Sequence, residues 1–492
     1  MKKILAFILP FFVFTEIFSQ NDKVLRVEIP VVENTLPFSV INFQEKGLLV
    51  HSKNSFYFFN KYLTNVWKQK ITLPDNMAVS GSNIIGGNIY LVACNTANTN
   101  TNNRILLMGF GINTGEVKID TLPNPAKEAM VKSFVRHSTL WNIHRGNSNL
   151  HIVIYDFATM EYSEYQLNKF SKQDILDIQL DTSKNLLHIL YADEKRSDGN
   201  LTLLTLKSNA EVLQNITTKF DNLVVVDGKI VLNNGEIMLV GTYNTESKNI
   251  GRSIYDNVME SSGFFSAKIE YQNIHVISQL NYTDFNNFLT DVGPDGKNRY
   301  DRMRRVKGEQ SMDNLVLFGW VPHKGNVFVS AEAFERRTTT QSKAYYDYYG
   351  RVMPVSNIVF EGYAYNDIYC AEIDAAGNFV FSKVIDISSA FLSENLDKTT
   401  SILPDDTPML LMANDKNISY FDMFSDKKFS ILSLQTLYKS DIIKDSYNMG
   451  IDYWYGNYMF AFGYQTIQNK QSKQSKGSSK RSVFYLTKLV ME

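Results

Sequence analysis

The sequence predicts an all-β fold, a single β-propeller of seven or eight blades with eight favoured, and three observations carry this. First, a hairpin recurs: a short apolar strand, a polar turn, then a half-apolar strand. It reads Phe56-Tyr57-Phe58-Phe59-Asn60 into Asn65-Val66-Trp67, then Ile105-Leu106-Leu107-Met108-Gly109 into Thr114-Gly115-Glu116-Val117. It returns at Leu150–Asp156 and Leu201–Leu206, and again near Phe264, Tyr369, Ile418 and Val483. Second, the copies are spaced by roughly fifty residues, with no helical pattern between most of them, which is the signature of blades around an axis. Third, alternating strands stand at both ends, Lys23–Ile29 and Val483–Leu489. Together they can complete one blade and remove the open edge that each would leave alone.

In chain order, Lys2 and Lys3 precede an apolar run from Ile4 to Phe14, and Ser19 offers a small residue for cleavage. Residues 1–19 are therefore expected to be a signal peptide, with the propeller occupying 20–492. The run is too short for a spanning helix and no Cys follows it, so no membrane insertion is expected once it is removed. The first module runs near 36–72, and the next three close near 122, 167 and 218. The fifth, near 222–282, contains the Gly-bordered strand Gly235–Tyr243, and the last two occupy about 395–438 and 445–492. The sixth stretches from about 283 to 388. Four insertions interrupt this regularity, near 244–262, 282–313, 336–358 and 468–481. The second carries Phe285, Phe288, Leu289, Met303 and Val306 at roughly helical spacing. The fourth has no apolar residue and reads as a hairpin tip.

Composition narrows the function classes. Fifty basic and 51 acidic side chains leave a net charge of −1, so nothing electrostatic points to nucleic acid as a partner. The two cysteines, Cys94 and Cys370, lie in apolar strands of distant modules and read as buried free thiols. The seven histidines are scattered singly, without spacing that would place two imidazoles on one metal. Asp291–Gly296 has Gly at the third position and Arg302 at the twelfth, so it reads as a turn rather than a calcium loop. No nucleophile elbow and no dinucleotide fingerprint is present. No metal, cofactor or catalytic residue is expected.

The outer hairpins Gly111-Ile112-Asn113-Thr114-Gly115-Glu116-Val117, Ile373-Asp374-Ala375-Ala376-Gly377-Asn378-Phe379 and Tyr62–Trp67 resemble those of pyrroloquinoline-quinone-type and related propellers. There an Asp or Asn, a turn ending in Gly and a following aromatic recur in each blade; here Gly and Trp are missing from most copies. The chain also resembles exported bacterial propellers of unassigned role, through Val329–Phe334 and Phe360–Tyr363. These resemblances imply the fold. The four Trp and the absence of an acidic constellation give no quinone site.

The sixth module offers the candidate interaction surface. Tyr345, Tyr346, Tyr348, Tyr349, Tyr363 and Tyr365 supply amphipathic rings suited to contact, and Arg302, Arg304 and Arg305 supply forks for carboxylate or phosphate. The expected function is an exported, non-catalytic scaffold or binding module, periplasmic or secreted, holding a protein or glycan of the cell envelope. The alternative is a polysaccharide hydrolase or lyase with a central-channel site, for which Asp193, Glu332 and Asp367 are strand-end candidates.

Overall fold

The computed structural model describes residues 24–490 apart from 33–36, 96–103, 194–199, 246–259, 289–305, 388–391, 394–399, 404–407, 425–429, 470–479 and scattered single or paired positions. The proposed signal segment, the Arg299–Arg305 stretch and most of the fourth insertion lie outside the described residues. The strands form eight antiparallel blades, seven of them at 39–69, 77–123, 129–168, 173–219, 224–281, 313–386 and 400–433. The eighth combines both ends of the chain. Strands Asp441–Tyr455, Tyr458–Asn469 and Lys480–Val490 are its first three, and Val24–Pro30 is the fourth. In that closure Val24 stands opposite Leu489 and Pro30 opposite Val483, so the terminal strands pair as expected. First strands of neighbouring blades lie against one another and so surround the axis.

The core is divided into eight. Each seam between blades holds its own apolar cluster, because alternate residues of a strand face opposite neighbours. In blade 3, Trp141 and Ile143 pack towards blade 4, whereas Leu140 and Val153 pack towards blade 2. Phe264, Tyr282, Phe285, Tyr369 and Val384 fill the seam between blades 5 and 6. The expected helical face in that insertion is not found among the described residues. Tyr282–Asp284 makes one 3-10 turn instead, and Phe285 and Phe288 are buried in the seam.

Each seam is also crossed by at least one side-chain hydrogen bond. Asn83 donates to the Val135 carbonyl (2.6 Å), Lys132 to the Ile178 carbonyl (2.7 Å), and Ile230 N–H to Asp177 (2.9 Å). Thr400 N–H donates to Glu332, Ser401 to Asp452, and Asn42 to the Tyr453 carbonyl. Lys268 donates to the Ala375 carbonyl, and Trp67 Nε1 reaches the Ile112 carbonyl at 3.0 Å. The last contact explains one retained motif glycine. Gly115 has φ +69°, and a Cβ there would sit 2.7 Å from the Trp67 ring of blade 1. The turn thus needs Gly both for its backbone and for the close approach of the preceding blade.

The closing blade is locked by charge. Arg481 bonds Glu28 on the outermost strand (2.9 Å) and Asp441 on the innermost. Arg26 bonds Glu28 (3.0 Å) and Gln465 (2.7 Å) and lies over the Tyr485 ring. Paired carboxylates hold the Arg481 pKa up, while burial lowers that of Arg26. On the same blade, Lys488 is enclosed by Trp454, Tyr455 and Tyr458 and donates to the Lys61 carbonyl of blade 1.

Removing Arg481 leaves the buried Asp441 without a cation and Glu28 with Arg26 alone, so Arg481→Ala should cost about 3 kcal/mol in chemical denaturation. A change below about 0.5 kcal/mol would show that the lock does not hold the blade. Acid should also act on the seams. Burial lowers His51, His144 and His188 to about 4. Their unfolded value is near 6.5, so between these values the unfolded chain binds more protons. This contribution to stability is complete above about pH 6.5 and is lost progressively as pH falls towards about 4. A His51→Gln, His144→Gln, His188→Gln variant should show a flatter fall in urea midpoint between those pH values. Parallel profiles would contradict the assignment.

Candidate functional site

Alternating strand direction places the connections between second and third strands, and those between blades, on one face of the ring. Turns between first and second, and third and fourth, strands occupy the other. On this turn face every connection is short, the longest being 423–429. All the long connections, including 96–103, 245–262, 282–312, 387–399 and 470–479, open on the opposite face. The insertions that the sequence places on the fifth and sixth modules therefore share one surface.

The principal feature of that surface is an arm. The middle strands of blade 6, Asn326–Tyr346 and Val352–Ile373, run 21 and 22 residues. Pairing with the first strand stops at Ala333, yet pairing between the two continues to Tyr346 opposite Val352. The segment expected as an insertion loop, 336–358, is thus a two-stranded ribbon. At about 3.3 Å per residue, the thirteen residues Phe334–Tyr346 extend it roughly 40 Å. Thr338, Thr339 and Thr340 stand opposite Phe360, Val359 and Ile358, a β-branched and aromatic set suited to an extended ribbon.

The structure divides the predicted tyrosines. Tyr348 and Tyr349 are at the tip, 98% and 79% exposed, with rings 5.6 Å apart edge to face and Arg351 over Tyr349. Tyr345 and Tyr346 belong to the ribbon opposite Met353 and Val352. Tyr363 is half-buried at the arm's base between Phe334 and Phe360. Tyr365 is 1% exposed, packed with Ile368, Cys370 and Ile402 in the seam between blades 6 and 7. A register shift between Ala333 and Phe334 leaves Asn366 with no opposite residue on the second strand and turns Tyr365 inward, so Tyr365 belongs to the core and not to the contact surface. Arg302, Arg304 and Arg305 lie outside the described residues. Sequence reading missed Ile358 and Val352, 75% and 57% exposed, and Phe360 under the Arg336 guanidinium.

The carboxylates of the alternative reading do not gather at the axis. Asp193 ends the second strand of blade 4 and accepts from Asn200 (2.7 Å). Glu332 is buried in the seam between blades 6 and 7 and receives the Thr400 N–H (3.0 Å). Asp367 is on a third strand, fully buried and directly across from Asp386. None of the three belongs to a first strand. Among the described residues no group of three His, Cys, Asp or Glu side chains is arranged to hold a metal. Cys94 and Cys370 are free and buried, and burial raises both thiol pKa values, that of Cys94 to about 12.

No protein-family model and no characterised protein sequence matches the chain. Solved propellers resemble it in architecture. The β-propeller domain of the Trilobed protease from Pyrococcus furiosus is 8% identical, with 86% of this chain and 97% of that one covered and a TM-score of 0.34. The Dos1 propeller is 10% identical, covering 84% and 92%, with a TM-score of 0.41. A structure from a study of two prolyl endopeptidases is 8% identical over 89% of this chain and 53% of its own, with a TM-score of 0.40. At such values no activity or partner passes from them to this chain. The strand pairing itself establishes a closed eight-bladed β-propeller.

Proposed function

We propose that this chain is an exported, non-catalytic β-propeller that holds a partner protein on the face carrying the long connections, chiefly through the arm of blade 6. The observation that carries the reading is the arm itself. A ribbon of this length leaves the blade with Tyr348, Tyr349, Ile358 and Val352 in solvent. Exposed aromatic and β-branched side chains beside Arg351 have the composition of a contact surface, and large exposed apolar groups mark interaction sites. The ring supports such a role by presenting the arm from a closed scaffold. Export is supported by the basic and apolar segment at residues 2–14.

Arg336 and Tyr363 are cross-strand partners, so replacing residues 337–362 by Asn-Gly shortens the arm to a tight hairpin without altering the blade. In affinity capture from an envelope extract, the intact chain should recover a discrete protein that the shortened chain recovers at least tenfold less well. Equal recovery by both chains would overturn the proposal.

A further inference from the structure

A second site lies away from the arm, on the face of blade 2 that points towards blade 3. It is a groove of about 440 Å³ near the turn end of that blade. Gly109 and Gly111 of the third strand send no side chain into it. Tyr90 leans over Gly109, where a Cβ would meet its ring at 3.2 Å, and the Thr114 hydroxyl closes over Gly111. Phe157 of blade 3 stacks with Tyr90 at 6.1 Å and backs the aromatic wall. The rim carries Asn88, Glu116 and Asp120, with Lys118 paired to Asp120 at 3.0 Å. Among the described residues, the Asn88 amide, the Tyr90 hydroxyl and the Glu116 carboxylate have no hydrogen-bonding partner within the protein and are available to a ligand.

The chemistry selects one ligand class. Two carboxylates and one already paired ammonium disfavour an anion. The groove is too polar for a lipid chain, with amide, hydroxyl and carboxylate groups around one aromatic ring. That combination of an apolar platform and several hydrogen-bonding groups suits a ligand with an apolar face and a polar edge. We infer that the blade 2 groove is a binding subsite for a neutral pyranose unit. The sugar's C–H face would lie on Tyr90, and its hydroxyls would be held by Asn88, Glu116 and Asp120. The site is independent of the arm and of the partner proposed for it.

Saturation-transfer NMR on the chain from residue 20 onward tests this with the methyl glycosides of glucose, galactose and mannose and with N-acetylglucosamine. Each probe is used at about 10 mM, enough to populate a site of millimolar Kd. At least one probe should receive saturation from the protein. Gly109→Val, whose side chain would displace the Tyr90 ring, should abolish the transfer, and Glu116→Gln, an exposed turn substitution, should weaken binding roughly tenfold without changing the melting temperature. Absence of transfer to all four probes would overturn the inference. So would transfer unchanged in both variants.

Discussion

Each blade of this ring can bury both of its faces only because a neighbour stands on either side, so everything depends on the closure of the last seam. The core is eight separate clusters, each shared by two blades. Opening the ring at any one seam would expose two apolar sheet faces at once. The N-terminal strand prevents this by pairing along its whole length with Lys480–Val490. Leu25, Val27 and Ile29 turn towards blade 1, while Arg26 and Glu28 enter the charged lock with Arg481, Asp441 and Gln465. The fold thus ties its stability to a contact between residues more than four hundred positions apart, which is costly to form in the unfolded chain and cooperative once formed.

Closure has a functional consequence. Asn83, Lys132, Asp177 and Glu332 stitch four of the seams with hydrogen bonds. Variation is admitted where the chain leaves the sheets, and one face takes nearly all of it. The turn face is kept short by the packing of each blade on the next, as with Trp67 on Gly115 and Ile277 on Gly377. The opposite face has no such constraint, and there blade 6 grows into the arm. Blade 2 makes a different use of the scaffold, trading two side chains for glycine and opening a groove along the sheet itself.

Much of the architecture was legible because blades repeat a period-2 pattern between turn residues. The modules expected to close near 122, 167 and 218 end in strands at Pro123, Asn168 and Lys219. Register was less legible. In blades 2 to 6 and 8 the first strand carries an early bulge, as between Val79 and Gly81 or Ile175 and Asp177, and no residue type marks it. These bulges place Lys132 and Asp177 where they stitch neighbouring blades. The same physics turned Tyr365 into the core, since one unpaired residue reverses which side chains face the seam. The arm read as a loop because its outgoing strand is polar throughout from Arg336 to Lys343, with no apolar face to mark it. The helical spacing of Phe285 and Phe288 was produced by two rings filling one seam around a single turn.

Native-state hydrogen exchange on the closing blade measures the central dependence directly. If closure of the last seam holds the ring, those amides of Val24–Ile29 that donate to Lys480–Val490 should exchange only through global unfolding, with the same protection as the bonded amides of Lys480–Val490. Rapid exchange of those amides while the other seven blades stay protected would contradict it.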